Sequence, residues 1–424
     1  YMQSFLTKAK LVFRDKTLRN RILFTLSILA VFRLLAAVPI PGIDTLQLQA
    51  FFESNQFLGL VNVFTGGGLD NFSIVMLGVG PFITASIIMQ LATVISPKLK
   101  TMYQEEGEAG RAKFTQWSRY ITVPLAFLQA FAFLTLLQRN GIVPDLASGA
   151  FLTNVLVIAA GSIFLMWIGE LITEFGVGNG VSLIIFAGIV ASLPSTLSQL
   201  IFTFDVSQVP LYLGFALAAV AVTAGVVFIT EAERPIPITY ARQTRGMKQY
   251  GGISTYLPLR VNQAGVIPII FALSILLFPQ MIAAFLAGSA LPFVSTVADA
   301  ITRGLANQWV YGGLYFLLVF LFTYFYTAVT FDPNQISTNL QKSGAFIPGV
   351  RPGRNTSEHI GNILTRITLV GALFLGGIAV LPIGMQAITG ITTLAIGGTA
   401  LLIAVSVVLD VVKKIEAQIS IREY

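Results

Sequence analysis

The sequence predicts an all-α polytopic membrane protein, and three observations carry that prediction. Apolar side chains make up 55% of the 424 residues, charged ones only 11%, and the mean hydropathy is +0.80, whereas a soluble domain carries about 25% charged residues. The apolar residues gather into stretches of roughly 17 to 24, each long enough to cross about 30 Å of hydrocarbon. Lys and Arg crowd into alternate connections between those stretches. The chain has no cysteine and a single histidine, His359. That excludes a disulfide scaffold, a thiol nucleophile and a thiolate metal centre, and it argues against a metal site built on histidines.

Ten spans follow in order, near residues 22–38, 73–95, 120–138, 151–169, 181–204, 209–230, 264–287, 310–331, 363–382 and 388–409. The first holds Arg33 well inside it and runs into Pro39-Ile40-Pro41-Gly42. No small-residue cleavage site follows, so it reads as a retained span rather than a signal peptide. Residues 39–72 carry no Lys or Arg, include an apolar patch from Phe57 to Phe64, and break at Gly66-Gly67-Gly68. The patch is too short to span. It suits either a short helix dipping back into the bundle, tolerated only where buried in protein or facing water, or an external amphipathic loop. The second span carries the neutral polar residues Thr84, Ser86 and Gln90, and the fourth and sixth close on Glu170, Glu174 and Glu231. Between the fourth and fifth, Gly176-Val177-Gly178-Asn179-Gly180 lacks the preceding strand of a nucleotide loop and predicts a tight turn instead.

Two long connections stand out. In the first, residues 231–262, Ile236, Ile238 and Tyr240 alternate with other residues, as do those of Ser254 to Leu259. Between them Arg245-Gly246-Met247-Lys248-Gln249-Tyr250-Gly251-Gly252 predicts a hairpin with a basic tip. Asn262 and Gln263 then open the seventh span. In the second, residues 332–361, the pattern predicts a short helix near Pro333 to Gln341, a stiff turn from Ile347 to Gly353, and a capping box of Asn355 with Glu358 at the start of the ninth span.

Charge sets the orientation. Twenty-three of the 26 Lys and Arg residues lie in the two tails and the connections after the even-numbered spans, against Arg139 and Arg303 on the opposite side and Arg33 within a span. Both termini are therefore expected in the cytoplasm. Five spans followed by five suit two pseudo-symmetric halves, 22–204 and 205–409, related by an inverted repeat, with tails at 1–21 and 410–424. Most of the +7 net charge reflects this asymmetry, not nucleic-acid binding.

The missing chemistry narrows the function. No phosphate loop of the Gly-x-x-x-x-Gly-Lys type occurs, so the chain is not expected to be an enzyme or to need a cofactor, and energy from ATP must come from a partner. The spans are almost free of acids, whereas ion-coupled carriers keep ionisable groups in the bundle because each costs about 2.5 kcal/mol or more there. That favours a passive conduit or gate over the alternative of an inverted-repeat secondary transporter for a small solute. The neutral polar residues Thr84, Ser86, Gln90, Asn262 and Gln263 serve either as interhelical glue, worth ~0.6 kcal/mol a pair, or as a contact that must open.

At nine places in order, the chain resembles the SecY family of channel subunits of the bacterial protein translocase. Among them are Phe32-Arg33 with Pro39 to Asp44, Phe64-Thr65-Gly66-Gly67, Ile83 to Ile88, Glu106 to Arg111, Phe164 to Glu170, Gly178-Asn179-Gly180, Leu257 to Asn262, Lys342 to Phe346 and Pro348 to Gly353. The resemblance covers essentially the whole chain. It implies ten helices in two halves around a central hourglass pore, in the plasma membrane of a bacterium. It implies a pore ring of Val79, Ile83, Val181, Ile185, Ile270 and Ile403, and a plug at about 57–72 with Phe57, Val61, Phe64, Gly66, Gly67 and Leu69. It further implies a lateral gate at Thr84, Ile87, Gln90 and Asn262 through which signal sequences of secretory and membrane proteins reach lipid. Arg242, Arg245, Lys248, Arg351 and Arg354 would dock a SecA motor ATPase or ribosomal RNA. Small membrane subunits of the SecE and SecG types and anionic lipids are the other implied partners. One tension remains within this reading: Val181 begins its span whereas Val79 lies several residues into one entering from the other side, so a single ring requires helices staggered in depth.

Overall fold

The computed structural model describes residues 15–40, 65, 72–104, 106–139, 141, 143, 147–202, 209–240, 243–245, 248–250, 254–286, 292–389 and 392–420. Among the described residues, each predicted span overlaps a helix. The first is α1 (Lys16–Ala36), capped by Asp15, whose Oδ1 accepts from the Thr17 N–H at 2.9 Å and whose charge suits a helix N-terminus. Arg33, expected well inside the span, lies in the last turn of α1 and sits 5.6 Å from the Phe32 ring centroid. A cation is favoured at that end by the helix dipole.

Residues 38–40 then pair with 72–74: Ile40 N–H donates to the Phe72 carbonyl at 2.9 Å and Ile74 N–H to that of Val38 at 3.1 Å. The next helix, α2 (Gly80–Ile95), starts seven residues later than expected. Ser73 to Val79 forms successive tight turns instead, with Met76 bonded to Ser73, Gly78 to Val75 and Gly80 to Leu77. The physical reason is Gly78, whose left-handed φ of +56° ends any helical run, while Pro81 is suited to a first helical turn. This irregular backbone is buried, as internal satisfaction of its polar groups demands.

A bend of 113° separates α2 from the short α3 (Pro97–Gln104). Then come α4 (Gly107–Arg139), α5 (Ser148–Phe175), α6 (Gly180–Phe202) and α7 (Val209–Glu231). Glu170, expected at a span end, lies inside α5 and pairs with Arg119 of α4 at 2.6 Å. The glycine-rich segment between α5 and α6 is a tight turn. Thr173 Oγ1 accepts from Gly180 N–H at 2.9 Å, Asn179 Oδ1 accepts from Ser182 N–H at 3.2 Å, and Thr25 of α1 accepts from Val177 N–H at 3.2 Å. Gly180 lies so close to the Gly169 carbonyl that a side chain there would force α5 and α6 apart.

The first long connection forms β1 (Glu233–Tyr240), β2 (Gln243–Arg245), β3 (Lys248–Tyr250) and β4 (Ser254–Arg260). β1 pairs antiparallel with β4, and β2 with β3, Arg245 opposite Lys248 at the tip. After α8 (Ile267–Leu286), α9 (Pro292–Ala306) and α10 (Gln308–Thr330), the second connection gives α11 (Pro333–Lys342) and β5 (Ala345–Phe346). β5 adds to β1, so both connections form one sheet of order β4-β1-β5 over a small core of Ile236, Leu259, Ile347, Ile360 and Ile367. α12 (Arg354–Thr389) and α13 (Thr392–Ser420) complete the chain. The expected capping box does not form: α12 already starts at Arg354, so Asn355 is helical, and Glu358 pairs with the Arg354 guanidinium at 2.9 Å.

The helices pack as two groups. α1, α2, α4, α5 and α6 touch one another, as do α8 to α10, α12 and α13, with α7 against α13. The groups meet chiefly through α13 on α6 and through α8 on α2 and α4. Among the described residues, the stretches Gly107–Gln138, Ser148–Phe175, Tyr212–Glu231, Gln308–Lys342 and Arg354–Gly384 are long and apolar enough to cross a membrane, and α2 with α3 is a sixth if a bent pair counts as one.

Candidate functional site: a central apolar cluster and its seam

Five of the six residues expected in the ring, Val79, Ile83, Ile185, Ile270 and Ile403, are buried in one apolar cluster, and Val181 packs against it half-buried. They come from both groups of helices: α2, α6, α8 and α13. Val79, Ile185 and Ile403 have no exposed surface. The late start of α2 changes the premise of the expected stagger. Val79 is the residue preceding its first turn and Val181 the second residue of α6, so both stand at helix beginnings and neither lies several residues into a helix. Because Ser73 to Val79 is itself buried, α2 begins deep inside the bundle. The Ile83 N–H closes its first turn on the Val79 carbonyl at 3.0 Å.

The residues expected at the gate lie on α2 and just before α8. Ile87 is buried in the central cluster. Gln90 and Asn262 each keep a side-chain oxygen buried without a hydrogen-bond partner, while Asn262 Nδ2 donates to the Gly265 carbonyl at 3.3 Å. A buried acceptor left unmatched costs about 1–3 kcal/mol. Thr84 faces elsewhere: its hydroxyl donates to the Gly80 carbonyl at 3.0 Å and accepts from Nε2 of Gln129 on α4 at 3.4 Å. Gln129 is the partner of Thr84 that sequence reasoning missed. Its signal was a buried amide in the middle of the third apolar stretch, where a polar side chain needs a partner.

Of the plug residues, Phe57, Val61, Phe64, Gly66, Gly67 and Leu69 lie outside the described residues. Thr65, which is described, is buried against Gly78: a Cβ on Gly78 would stand 2.6 Å from Thr65 Cα. The Gly78 carbonyl in turn accepts from Ser162 Oγ of α5 at 2.8 Å.

Of the docking residues, Arg242 lies outside the described residues, and Arg245 and Lys248 are backbone register partners in the β2–β3 pair. Arg351 is exposed, and its carbonyl accepts from Thr356 Oγ1 at 2.9 Å. Arg354 is exposed and paired with Glu358. Such an exposed pair contributes at most about 1 kcal/mol.

Residues 73–412 match the model of the SecY family. The chain is 42% identical to the protein translocase subunit SecY of Mycobacterium leprae, covering 97% of both chains. It is 41% identical to that of Streptomyces galbus over 99% of both. Among solved structures it resembles a protein conducting channel, with a TM-score of 0.65 and 19% identity over 94% of this chain and 91% of the other. It also resembles Sec61 in a canine ribosome-channel complex, with a TM-score of 0.60 and 17% identity over 95% and 93%.

Proposed function

The chain belongs to the SecY family, and on that footing we propose that it is the pore-forming subunit of a protein translocase. It passes unfolded secretory proteins across a membrane and releases membrane proteins sideways into it. The small-solute transporter reading is set aside by the same relatives, which are named as translocase subunits over nearly their full length.

The observation that carries the proposal is the central cluster. A conduit wide enough for an unfolded chain leaks ions unless something closes it, and a ring of apolar side chains from which water retreats does so without charge. Val79, Ile83, Val181, Ile185, Ile270 and Ile403 gather from four helices of both groups, and we assign them that role. Residues 22–204 and 205–409 act as two halves that part along α2 and α8. Neutral amides at Gln90 and Asn262 hold that seam more weakly than ion pairs would, so the modest binding energy of a signal sequence shifts the balance toward the open state. Ile87 lines the same seam and presents an apolar surface to the entering signal. The segment at about 57–72 backs the ring as a plug.

Energy comes from outside the chain. The two long connections carry Arg242, Arg245, Lys248, Arg351 and Arg354, and these dock a SecA-type motor or ribosomal RNA through charge-assisted contacts of the kind that guanidinium groups make with carboxylates and phosphates. SecE- and SecG-type subunits and anionic lipids complete the assembly in a bacterial plasma membrane, with both termini cytoplasmic. The test is capture of a stalled secretory precursor by a photo-reactive residue at Ile185 or Ile270 in the assembled translocase. Cross-links there support the path through the cluster, and cross-links confined to lipid overturn it.

A further inference from the structure

The two groups of helices are also joined at the end of the bundle where α3 lies. Ser96 is extended after α2, Pro97 starts α3, and the 113° bend between them carries α3 across the bundle end instead of along it. Its last residue, Gln104, reaches the other group. Gln104 Nε2 donates to the carbonyl of Val329, next to last in α10, at 2.8 Å. Gln335, in the first turn of α11, donates through Nε2 to the carbonyl of Gln104 at 3.1 Å. The partners are 225 and 231 residues apart in the chain. Both acceptors belong to the last turn of a helix, where carbonyls have no donor within the helix. Each glutamine thus completes a helix end of the opposite group. Tyr103, beside Gln104, packs on Phe114 of α4 at 4.9 Å between ring centroids.

We propose that Gln104 and Gln335 are positioning residues that clasp the seam shut. The inference rests on the reading of α2 and α8 as the gate. α3 continues from α2 after a single residue, so α2 cannot swing away from α8 while α3 is held to α10 and α11. Both bonds are neutral and reach main-chain acceptors, which makes the clasp short-range, insensitive to salt and easily released. A partner that grips the neighbouring basic sheet also grips α11 through their shared core, in which Ile336 and Leu340 of α11 pack. It can therefore open the clasp without touching the gate itself.

Transport of a precursor with an intact signal sequence and of one with a weakened signal is measured in proteoliposomes holding the full translocase. Gln104→Ala and Gln335→Ala should each raise the weak-to-intact ratio by about threefold to tenfold, the range one hydrogen bond of ordinary strength supplies. A purely structural role would lower transport of both precursors alike and leave the ratio unchanged, and that result overturns the clasp. Asn262→Leu is the comparator. If it raises the ratio and neither glutamine variant does, the clasp alone fails; if none of the three does, the gate reading fails with it. Because the chain has no cysteine, Q104C with Q335C can also be bridged by a short bifunctional thiosulfonate. Bridging should stop transport and reduction restore it, whereas normal transport through fully bridged protein overturns the proposal.

Discussion

Replacing Gly78 by alanine tests whether the backbone at Thr65 seats the segment that closes the conduit. Gly78 has φ +56°, a left-handed conformation that costs an L residue roughly 1–2 kcal/mol. The new Cβ would stand 2.6 Å from Thr65 Cα and 2.8 Å from its carbonyl oxygen, where ordinary contact begins at 3.4 Å. The backbone of Thr65 must then retreat by about 0.8 Å, the shortfall between 2.6 and 3.4 Å, and overpacking of this kind costs about 1–3 kcal/mol. A combined penalty of about 2–5 kcal/mol displaces the seated position by about 30-fold or more. Resting ion conductance of the purified translocase in a planar bilayer, without precursor, should therefore rise well above the parent's, while strong-signal precursors still pass. Ser162→Ala should act in the same direction and more weakly, since it removes only the 2.8 Å bond to the Gly78 carbonyl. If both variants conduct as little as the parent and melt at its temperature, Thr65 does not seat the seal.

Two further outcomes are expected. Exchanging Ile185 and Ile403 together for serine puts hydroxyls into a cluster with no exposed surface at either position and should raise resting conductance without abolishing translocation; conductance as low as the parent's would mean that these residues are ordinary helix packing. Arg351→Glu should leave the melting temperature unchanged, because the side chain is exposed, and weaken binding of the motor or ribosome about tenfold or more, the worth of one charge-assisted bond of roughly 1.5–3 kcal/mol. Near-normal motor-driven transport would remove Arg351 from the docking surface.

Long apolar runs were enough to locate a helix at each expected span among the described residues, though not the start of α2, because transfer of about 20 apolar side chains into hydrocarbon is a local property of a segment. The hairpin from Arg245 to Gly252 and the helix at Pro333 were legible for the same reason, since turn chemistry and caps act over a few residues. Tertiary contacts decided the rest. The late start of α2 depends on Gly78 meeting Thr65 and Ser162, and only that start lets Val79 join Ile185 and Ile403. Thr84 turned toward Gln129 because the packing of α4 on α2 set its partner. The two long connections gave no sign that β5 would join β1 in one sheet, nor that Gln104 and Gln335 would tie opposite helix ends. Such pairings join residues about a hundred or more positions apart, and no local spacing or propensity encodes which distant carbonyl a free amide will reach.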